Sequence, residues 1–349
     1  MYLVYGDKRL LRTQYPSMKA WVDYIKKQSG NDYIWNGGSK YGDWLFYHPP
    51  VNDHPEADGH TEHDFIATAF YAYSTSILVA AARELGNTED ELQYGAVYNK
   101  IREVFINEYV TPAGRVGTNS QTSYVLALMF NLLPENLREK SAWFLAEDIK
   151  SRENHLSTGF LGTVYLCHVL SANGYTDVAY DLLLQESYPS WIYPVKMGAT
   201  TIWERWDGQK TDSTFQDPGM NSFNHYAYGA IGDWMYRVSA GIETSDPGYK
   251  HLIIQPHPAR KLSYSKAAFE SAYGTVASGW ERRENTIIVT IKIPANSTAT
   301  IILPAGSASN VMESGKKLAD NKIFSSVRSE GQKVLIETGS GNYTFEYHE

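Results

Sequence analysis

The sequence contains a single cysteine, Cys167, among its 349 residues. One thiol cannot form an internal disulfide or a cysteine-based metal cluster, so both are excluded within this chain. Cys167 lies in the apolar run Leu161–Leu170 and is therefore predicted to be a small buried residue.

Positive charge is scarce as well. The chain has 31 Lys and Arg against 39 Asp and Glu, a formal net charge of −8, and its basic residues are not clustered. Because nucleic-acid-binding surfaces depend on clustered Lys and Arg, no nucleic-acid partner is predicted. The hydrophobic content of 43% is typical of a folded globular protein.

Long apolar runs and targeting signals are also missing. No stretch appears apolar for long enough to predict a membrane span. The first residues have neither a charged segment nor a small-residue cleavage site. They instead resemble the end of a helix that runs into a Gly6-Asp7 turn, so we expect the chain to open inside a domain. The missing signal sequence therefore gives no information about the cellular compartment.

Aromatic residues, by contrast, are abundant, at 13% of the chain. The most informative segment sets one carboxylate, Glu204, between Trp203 and Trp206, with Arg205 and Asp207 beside it. Aromatic faces bind the apolar faces of sugar rings, and a carboxylate among them can take a proton from water, as cleavage of a glycosidic bond requires. The alternative is a packed aromatic turn in which Glu204 only pairs with Arg205.

Helical periodicity extends from the N-terminus to about residue 241. The periodic segments are Lys8–Gln28, Thr61–Leu85, Glu89–Tyr109, Gln121–Leu132, Glu135–Lys150, Gly159–Ala172, Asp177–Ser187 and Phe223–Ala240. Thr61–Leu85 is apolar nearly all round, as in an inner layer, and the next helix is amphipathic, as in an outer layer. This alternation predicts an α/α toroid, a ring of helical hairpins. About eight helices are recognised, too few for a closed ring of six hairpins, so the toroid is predicted to be N-terminally incomplete.

The period changes after residue 246. Short segments rich in Val, Ile, Thr and Tyr follow, separated by turn residues, and they predict an antiparallel β-sandwich. They are His251–Gln255, Ala267–Glu270, Thr275–Arg282, Thr286–Ile293, Thr298–Leu303, Lys322–Arg328, Lys333–Glu337 and Tyr343–Tyr347. The predicted domains are residues 1–243 for the toroid and 244–349 for the sandwich, with Asp246-Pro247-Gly248 as the linker.

Two further segments carry candidate binding residues. Asp43 and Trp44 follow Gly42 in a loop ahead of the longest inner helix, where they would face a cleft. The alternative is that Asp43 accepts hydrogen bonds in a local turn and Trp44 is core. Asn221 or Ser222 would cap the helix that follows them, and His225 lies in its first turn. There His225 would contact sugar hydroxyls or orient Glu204. The alternative is that His225 is a core histidine.

An acidic and histidine-rich segment, Val51–Asp64, invites comparison with a metal site. Its spacing matches no compact zinc motif, so a solvated surface loop is favoured and no metal is predicted. No phosphate-binding loop, dinucleotide fingerprint, nucleophile elbow or Cys-His pair occurs in the sequence, and no cofactor is predicted.

Together these segments resemble the bacterial α-L-rhamnosidases of glycoside hydrolase family 78, along nearly the whole chain. The resemblance is densest in Tyr41–Leu45, Gly159–Thr163, Tyr188–Trp191, Gly198–Gly208 and Ser213–Trp234. It implies a six-hairpin toroid followed by a β-sandwich, and a hydrolase that releases terminal α-L-rhamnose from glycosides or polysaccharides with inversion.

The resemblance also implies roles for individual residues. Glu204 matches the general base that activates water, Trp44 an aromatic residue packed against the rhamnose ring, and His225 a histidine that contacts the sugar. Asp43, Trp203 and Trp206 are placed near the pocket. No membrane is expected as a partner. A homodimer remains open, as does the choice between bacterial cytoplasm and periplasm.

The chain departs from the family in one respect. The general acid of the family is a glutamate in an upstream Asp-Cys-Pro…Arg-Asp-Glu-Arg-Leu-Gly-Trp segment, and this chain has no such segment. Glu56 and Glu62 are the only substitutes considered, but solvated loop carboxylates stay ionised and make poor acids. The chain alone is therefore predicted to show little turnover. Two other functions remain open: a catalytically incomplete sugar-binding or structural fragment, and another toroid carbohydrate enzyme such as a glucosidase or lyase.

Overall fold

The computed structural model describes residues 1–38, 41–46 and 60–348. The chain divides into two compact units: a helical unit, Arg12–Ile231, and a β unit formed by Met1–Leu11 together with Gly232–Glu349. The predicted succession of a helical domain and a β-sheet domain is confirmed. The predicted boundary between residues 243 and 244 stays a prediction.

Ten α-helices occur in the described part of the chain. They are α1 (Tyr2–Tyr5), α2 (Lys8–Ser29), α3 (His63–Leu85), α4 (Thr88–Tyr109), α5 (Gln121–Met129), α6 (Glu135–Ser151), α7 (Phe160–Ala172), α8 (Thr176–Leu183), α9 (Ile192–Lys196) and α10 (Ile231–Trp234).

The helices of the helical unit pack as successive hairpins. α3 packs against α4, α5 against α6 and α7 against α8, and α5 contacts both α3 and α7. α3, α5 and α7 therefore form the inner layer, in agreement with the predicted alternation. α3 is buried on several sides, with Phe65, Tyr71 and Leu78 each fully inaccessible. Burying each such side chain contributes about 1.5–3 kcal/mol, so the inner layer carries much of the core stability.

The apolar character of α3 corrects one expectation from the sequence. Within the described residues, α3 is the one helix that is long and apolar enough to cross a membrane by length and composition. In this structure 61% of its most apolar window is buried inside the protein, as expected of an inner-layer helix.

The predicted helix Phe223–Ala240 is wrong as a continuous element. The segment contains a 3-10 helix at Ala227–Ala230, then α10, then a π-helical turn at Met235–Ser239. Residues 222–225 instead bond to a distant segment: the His225 N–H donates to the Ile202 carbonyl and the Glu204 N–H donates to the Ser222 carbonyl. These tertiary hydrogen bonds replace the first helical turn, so the expected cap at Asn221 or Ser222 does not form.

The β unit contains two sheets. Their strands are β1 (Ile242–Thr244), β2 (His251–Ile254), β3 (Tyr264–Ser271), β4 (Gly274–Arg283), β5 (Thr286–Ile293), β6 (Thr298–Leu303), β7 (Met312–Glu313), β8 (Lys316–Lys317), β9 (Ser326–Glu330), β10 (Lys333–Thr338) and β11 (Gly341–His348). One sheet has the order β1-β2-β6-β10-β9 and the other β3-β4-β5-β11-β7-β8. Pairing is antiparallel except between β2 and β6, which are parallel.

The linker predicted at Asp246-Pro247-Gly248 is a turn inside the β unit. β1 precedes it and pairs with β2, which follows it. The Gly248 N–H also donates to the Leu3 carbonyl at 2.9 Å. A strand of three residues is too short to leave a periodic signal, which explains why the sequence placed the linker after it.

Two other expectations concern single sites. Cys167 is buried, as predicted, and its thiol lies 3.9 Å from the Ala179 carbonyl oxygen. Most of Val51–Asp64, including Glu56, lies outside the described residues. The residues that the structure does describe contain no group of three or more His, Cys, Asp or Glu able to hold a metal ion.

Candidate active site

Glu204 lies on irregular backbone that is held by residue 222. The Glu204 N–H donates to the Ser222 carbonyl at 2.8 Å, and the Ser222 N–H donates to Glu204 Oε2 at 2.9 Å. This reciprocal pair of hydrogen bonds fixes both the backbone and the carboxylate. The side chain is partly exposed, and Oε1 accepts no hydrogen bond from the residues in the described ranges. One oxygen is thus anchored and the other is available to water.

The arginine next to Glu204 is paired elsewhere. Arg205 Nε lies 3.3 Å from Asp207 Oδ1, and both side chains are less than a tenth exposed. Gln216 Nε2 donates to the other oxygen, Asp207 Oδ2, at 2.5 Å. The alternative in which Glu204 only pairs with Arg205 is therefore excluded in this structure.

The two indoles beside Glu204 pack into the core. Trp203 is 6% exposed and meets Phe223 edge-on at 5.1 Å, and Trp206 is 4% exposed and stacks on Tyr228 at 3.7 Å. Trp206 Nε1 is buried and has no hydrogen-bond partner in the described part of the chain. Both indoles therefore lie in the core on either side of Glu204 in the sequence.

Trp44 lines a cavity of about 530 Å³, a volume within the range of small-molecule sites. The walls are mostly apolar and aromatic: Trp35, Tyr41, Gly42, Trp44, His63, Ile66, Ala67, Phe160 and Leu161. Trp44 is half-buried, and its ring meets the exposed Tyr41 ring edge-on at 5.8 Å. A partly exposed indole in such a cavity offers a face to an apolar ligand surface.

Asp43 is fully buried beneath the N-terminus of α7. Its carboxylate accepts hydrogen bonds from the Thr122 hydroxyl and from the N–H groups of Gly159, Leu161 and Gly162. These amides include helix donors that have no partner inside the helix, and the helix dipole favours a negative charge there. Burial raises the pKa of the Asp43 carboxyl, while the four hydrogen bonds act in the opposite direction.

Two glycines allow this close approach. A Cβ at Gly159 would lie 2.3 Å from the Asp43 carbonyl oxygen and 2.4 Å from that of Trp44. A Cβ at Gly162 would lie 2.3 Å from the Thr122 hydroxyl oxygen. The Phe160 N–H donates to the Trp44 carbonyl at 2.9 Å, so α7 also holds the backbone of the cavity indole.

His225 makes near-parallel contacts with two aromatic rings. It stacks on Phe160 at 5.0 Å and on Tyr226 at 5.4 Å, with interplanar angles of 19° and 6°. The Ala227 N–H donates to His225 Nδ1 at 3.4 Å. Nδ1 is therefore occupied as an acceptor in this structure.

Comparisons with known proteins agree with the succession of a helical domain and a β-sheet domain. Residues 1–238 match the model of the bacterial alpha-L-rhamnosidase 6 hairpin glycosidase domain, and residues 241–318 match that of the bacterial alpha-L-rhamnosidase C-terminal domain. The chain belongs to the bacterial alpha-L-rhamnosidase family. The predicted resemblance and the predicted fold class are both confirmed.

Individual relatives are similar along almost the whole chain. An alpha-L-rhamnosidase of Streptomyces avermitilis is 40% identical over 99% of this chain, and one of Formosa agariphila is 38% identical over 99%. The crystal structure of the Streptomyces avermitilis enzyme complexed with L-rhamnose covers 99% of this chain with a TM-score of 0.88 at 39% identity, and 31% of that structure is matched. An Aspergillus terreus enzyme covers 98% with a TM-score of 0.85 at 29% identity, and 37% of it is matched. This chain spans 31% and 37% of the length of the two curated relatives.

Two aromatic rings of this chain connect the candidate residues and were missed in the sequence. Phe160 lines the cavity with Trp44 and stacks on His225. Tyr228 is 2% exposed, meets Phe160 edge-on at 5.1 Å, and stacks on Trp206. Burial raises the pKa of Tyr228 well above its usual value, and the nearby charge of Asp43 adds to that shift. The signal for Phe160 was its place between Gly159 and Gly162; no signal marked Tyr228.

Proposed function

We propose that the protein containing this chain releases terminal α-L-rhamnose from glycosides or polysaccharides with inversion, with Glu204 as the general base. The observation that carries the proposal is the anchored carboxylate. Ser222 holds Glu204 Oε2, and Arg205 pairs with Asp207 instead. A carboxylate that is partly exposed, oriented and not neutralised can accept a proton from the attacking water.

The water attacks the anomeric carbon from the face opposite the departing oxygen. Glu204 takes a proton from this water as its oxygen bonds to the sugar, and a carboxylic acid donates a proton to the leaving oxygen. The two carboxyl groups of inverting enzymes are typically about 6.5–9.5 Å apart, which leaves room for the water. The reaction as proposed needs no cofactor.

The buried carboxylates of this site are poor candidates for the acid. Asp43 has its oxygens occupied by four donors, and Asp207 is held by Arg205 and Gln216. Glu62, at the start of α3, is exposed and so lacks the apolar surroundings typical of a general acid. We therefore propose that the general acid lies upstream of this chain, as the resemblance implies.

The remaining candidate residues are proposed to bind the sugar or to support the residues that do. We propose that Trp44 packs against the apolar side of the rhamnose ring and that His225 Nε2 donates to a sugar hydroxyl. Asp43 is proposed to act indirectly, because its side chain is inaccessible and it holds α7 against the Trp44 loop. Trp203 and Trp206 are proposed to support the base from the core.

The test uses aryl α-L-rhamnoside, β-glucoside and α-mannoside substrates with two proteins: the 349-residue chain and the longest product of its gene. The longest product is expected to cleave only the rhamnoside and to give the inverted sugar by proton NMR. Glu204→Gln should lower kcat by about 10²–10⁴-fold and retain the fold, since the amide oxygen can still accept from Ser222. Glu186→Gln, at an exposed carboxylate paired with Lys196, is the matched control.

The outcomes also separate the second candidate function, a catalytically incomplete sugar-binding fragment. That candidate is favoured for the chain alone, because its buried carboxylates are occupied. The chain alone is expected to show little or no turnover and weak rhamnose binding. Activity of Glu204→Gln within a few-fold of the wild type would remove Glu204 from the mechanism. Enzyme-like turnover by the chain alone, abolished by Glu62→Gln or Glu56→Gln, would contradict an upstream acid.

A further inference from the structure

Three aromatic rings are stacked pairwise beside the candidate site. Phe160 lines the Trp44 cavity, His225 lies on Phe160, and Tyr226 lies on His225 almost in parallel, at 6°. The inner ring belongs to the cavity wall. The outer ring, Tyr226, is 87% exposed. The stack therefore links the wall of the cavity to solvent.

This stack is tied to the segment that carries the proposed base. The His225 N–H donates to the Ile202 carbonyl, two residues before Glu204, and the Ser222 N–H donates to the Glu204 carboxylate. The backbone that positions Glu204 thus also positions the ring stack.

The exposure of Tyr226 needs a physical reason. A tyrosine that is 87% exposed gains little from burial, so packing does not account for an aromatic ring at this position. Its ring nevertheless lies nearly parallel to His225, with the two ring centroids 5.4 Å apart. An exposed aromatic face beside a ligand cavity is a typical platform for a flat apolar ligand surface.

We propose that Tyr226 is the platform for the ring that follows the scissile bond, on the leaving-group side of the glycoside. The ligand chemistry is a ring with an apolar face, either a second pyranose or an aromatic ring. Tyr226 would therefore determine specificity by favouring glycosides whose leaving group begins with such a ring. The inference rests on the proposed function, because it presumes that rhamnose occupies the Trp44 cavity.

Tyr226 is a better platform than the other exposed ring of this segment. Phe215 is 64% exposed, but it reaches the Glu204 neighbourhood only through edge-on contacts with Phe223 and then Trp203. The Tyr226 ring lies nearly parallel to His225 with the ring centroids 5.4 Å apart, and His225 in turn stacks on Phe160 of the cavity wall.

The experiment measures kcat and KM of the longest gene product on methyl α-L-rhamnoside, an aryl α-L-rhamnoside and an α-L-rhamnosyl disaccharide. Each variant is compared with the wild type on the same substrate, so differences in leaving-group reactivity cancel. Tyr226→Ala is expected to lower kcat/KM on ring-bearing substrates about two- to tenfold more than on the methyl glycoside, mainly through KM. Tyr226→Phe should retain the preference, because it keeps the ring. A loss confined to the aryl or to the disaccharide substrate identifies which kind of ring is recognised.

Tyr264→Ala is the matched control, since Tyr264 is a 58% exposed tyrosine on β3 of the β unit. It should leave all three reactions unchanged. An equal loss on all three substrates with Tyr226→Ala, or no loss on the ring-bearing ones, would overturn the inference. Failure of the proposed function looks different: the wild type would then cleave none of the three, and the inference would fall with it.

Discussion

Removing the carboxylate of Asp43 should destabilise the helical unit far more than removing any exposed acid. The side chain is fully buried and accepts four hydrogen bonds, from the Thr122 hydroxyl, the Gly159 amide and two amides of α7. Asp43→Ala leaves these donors without their acceptor. Asp43→Asn keeps one acceptor oxygen but turns an NH₂ group toward donors.

The magnitude follows from two opposing effects. A buried donor left unpaired costs about 1–3 kcal/mol, and the sum over four such donors would exceed the loss of stability expected from one substitution. The cavity left by the side chain can admit water, and the cost of burying the charge disappears with the carboxylate. Removing one partner from a buried charged network typically costs about 3–5 kcal/mol, which is our expectation for Asp43→Ala. Asp43→Asn should cost about 2 kcal/mol.

The assay is urea unfolding followed by tryptophan fluorescence, because most tryptophans lie in the helical unit. With an m-value of about 3 kcal/mol/M, Asp43→Ala should lower the midpoint by about 1–2 M. Asp32→Ala, at an exposed position of the same unit, should stay within about 0.5 kcal/mol of the wild type. A loss below about 1 kcal/mol for Asp43→Ala would refute the proposed support of α7.

Two more predictions concern close packing and burial. Gly159→Ala places a Cβ 2.3 Å from the Asp43 carbonyl oxygen and should cost about 1–3 kcal/mol, seen as a lower Tm, whereas Gly37→Ala, with nothing within 4 Å, should leave the Tm nearly unchanged. Equal Tm values for both variants would show that the backbone at residue 159 can move away from Asp43 at little cost. Burial raises the pKa of the Cys167 thiol, so iodoacetamide at pH 8 should modify it only after unfolding in guanidinium, as followed by mass spectrometry. Rapid labelling of the native chain would contradict its burial.

The helical hairpins could be predicted because their signals are local. α3 is apolar on all sides and ends at Gly86, which adopts the left-handed conformation with φ 77°. The segment 223–240 failed for the opposite reason. Its helical periodicity is real, but hydrogen bonds to Ile202 and Glu204, some twenty residues away in sequence, replace the first turn. Tertiary hydrogen bonds of this kind leave no periodic trace in a sequence.

The candidate site shows the same division. Glu204 and Trp44 were selected from residue chemistry, and the structure gives one a fixed and partly exposed carboxylate and the other a cavity. Asp43 was selected for the same reason, yet its oxygens meet the amides of residues 159–162, more than a hundred positions later. A sequence cannot tell an acid that faces a cleft from one that lies beneath a helix N-terminus, because both favour a turn before an apolar segment.

The order of residues 203–207 acquires a physical logic in this arrangement. A guanidinium beside a carboxylate stabilises its charged form and weakens it as a base, so an arginine adjacent to the proposed base is a hazard. Asp207 removes that hazard by taking Arg205 into a buried pair, and Gln216 occupies the remaining oxygen of Asp207. The pair can stay buried because its hydrogen bonds offset part of the cost of desolvating both charges. With the arginine engaged by Asp207, Glu204 keeps Oε2 on the Ser222 amide, and Oε1 accepts no hydrogen bond from the described residues.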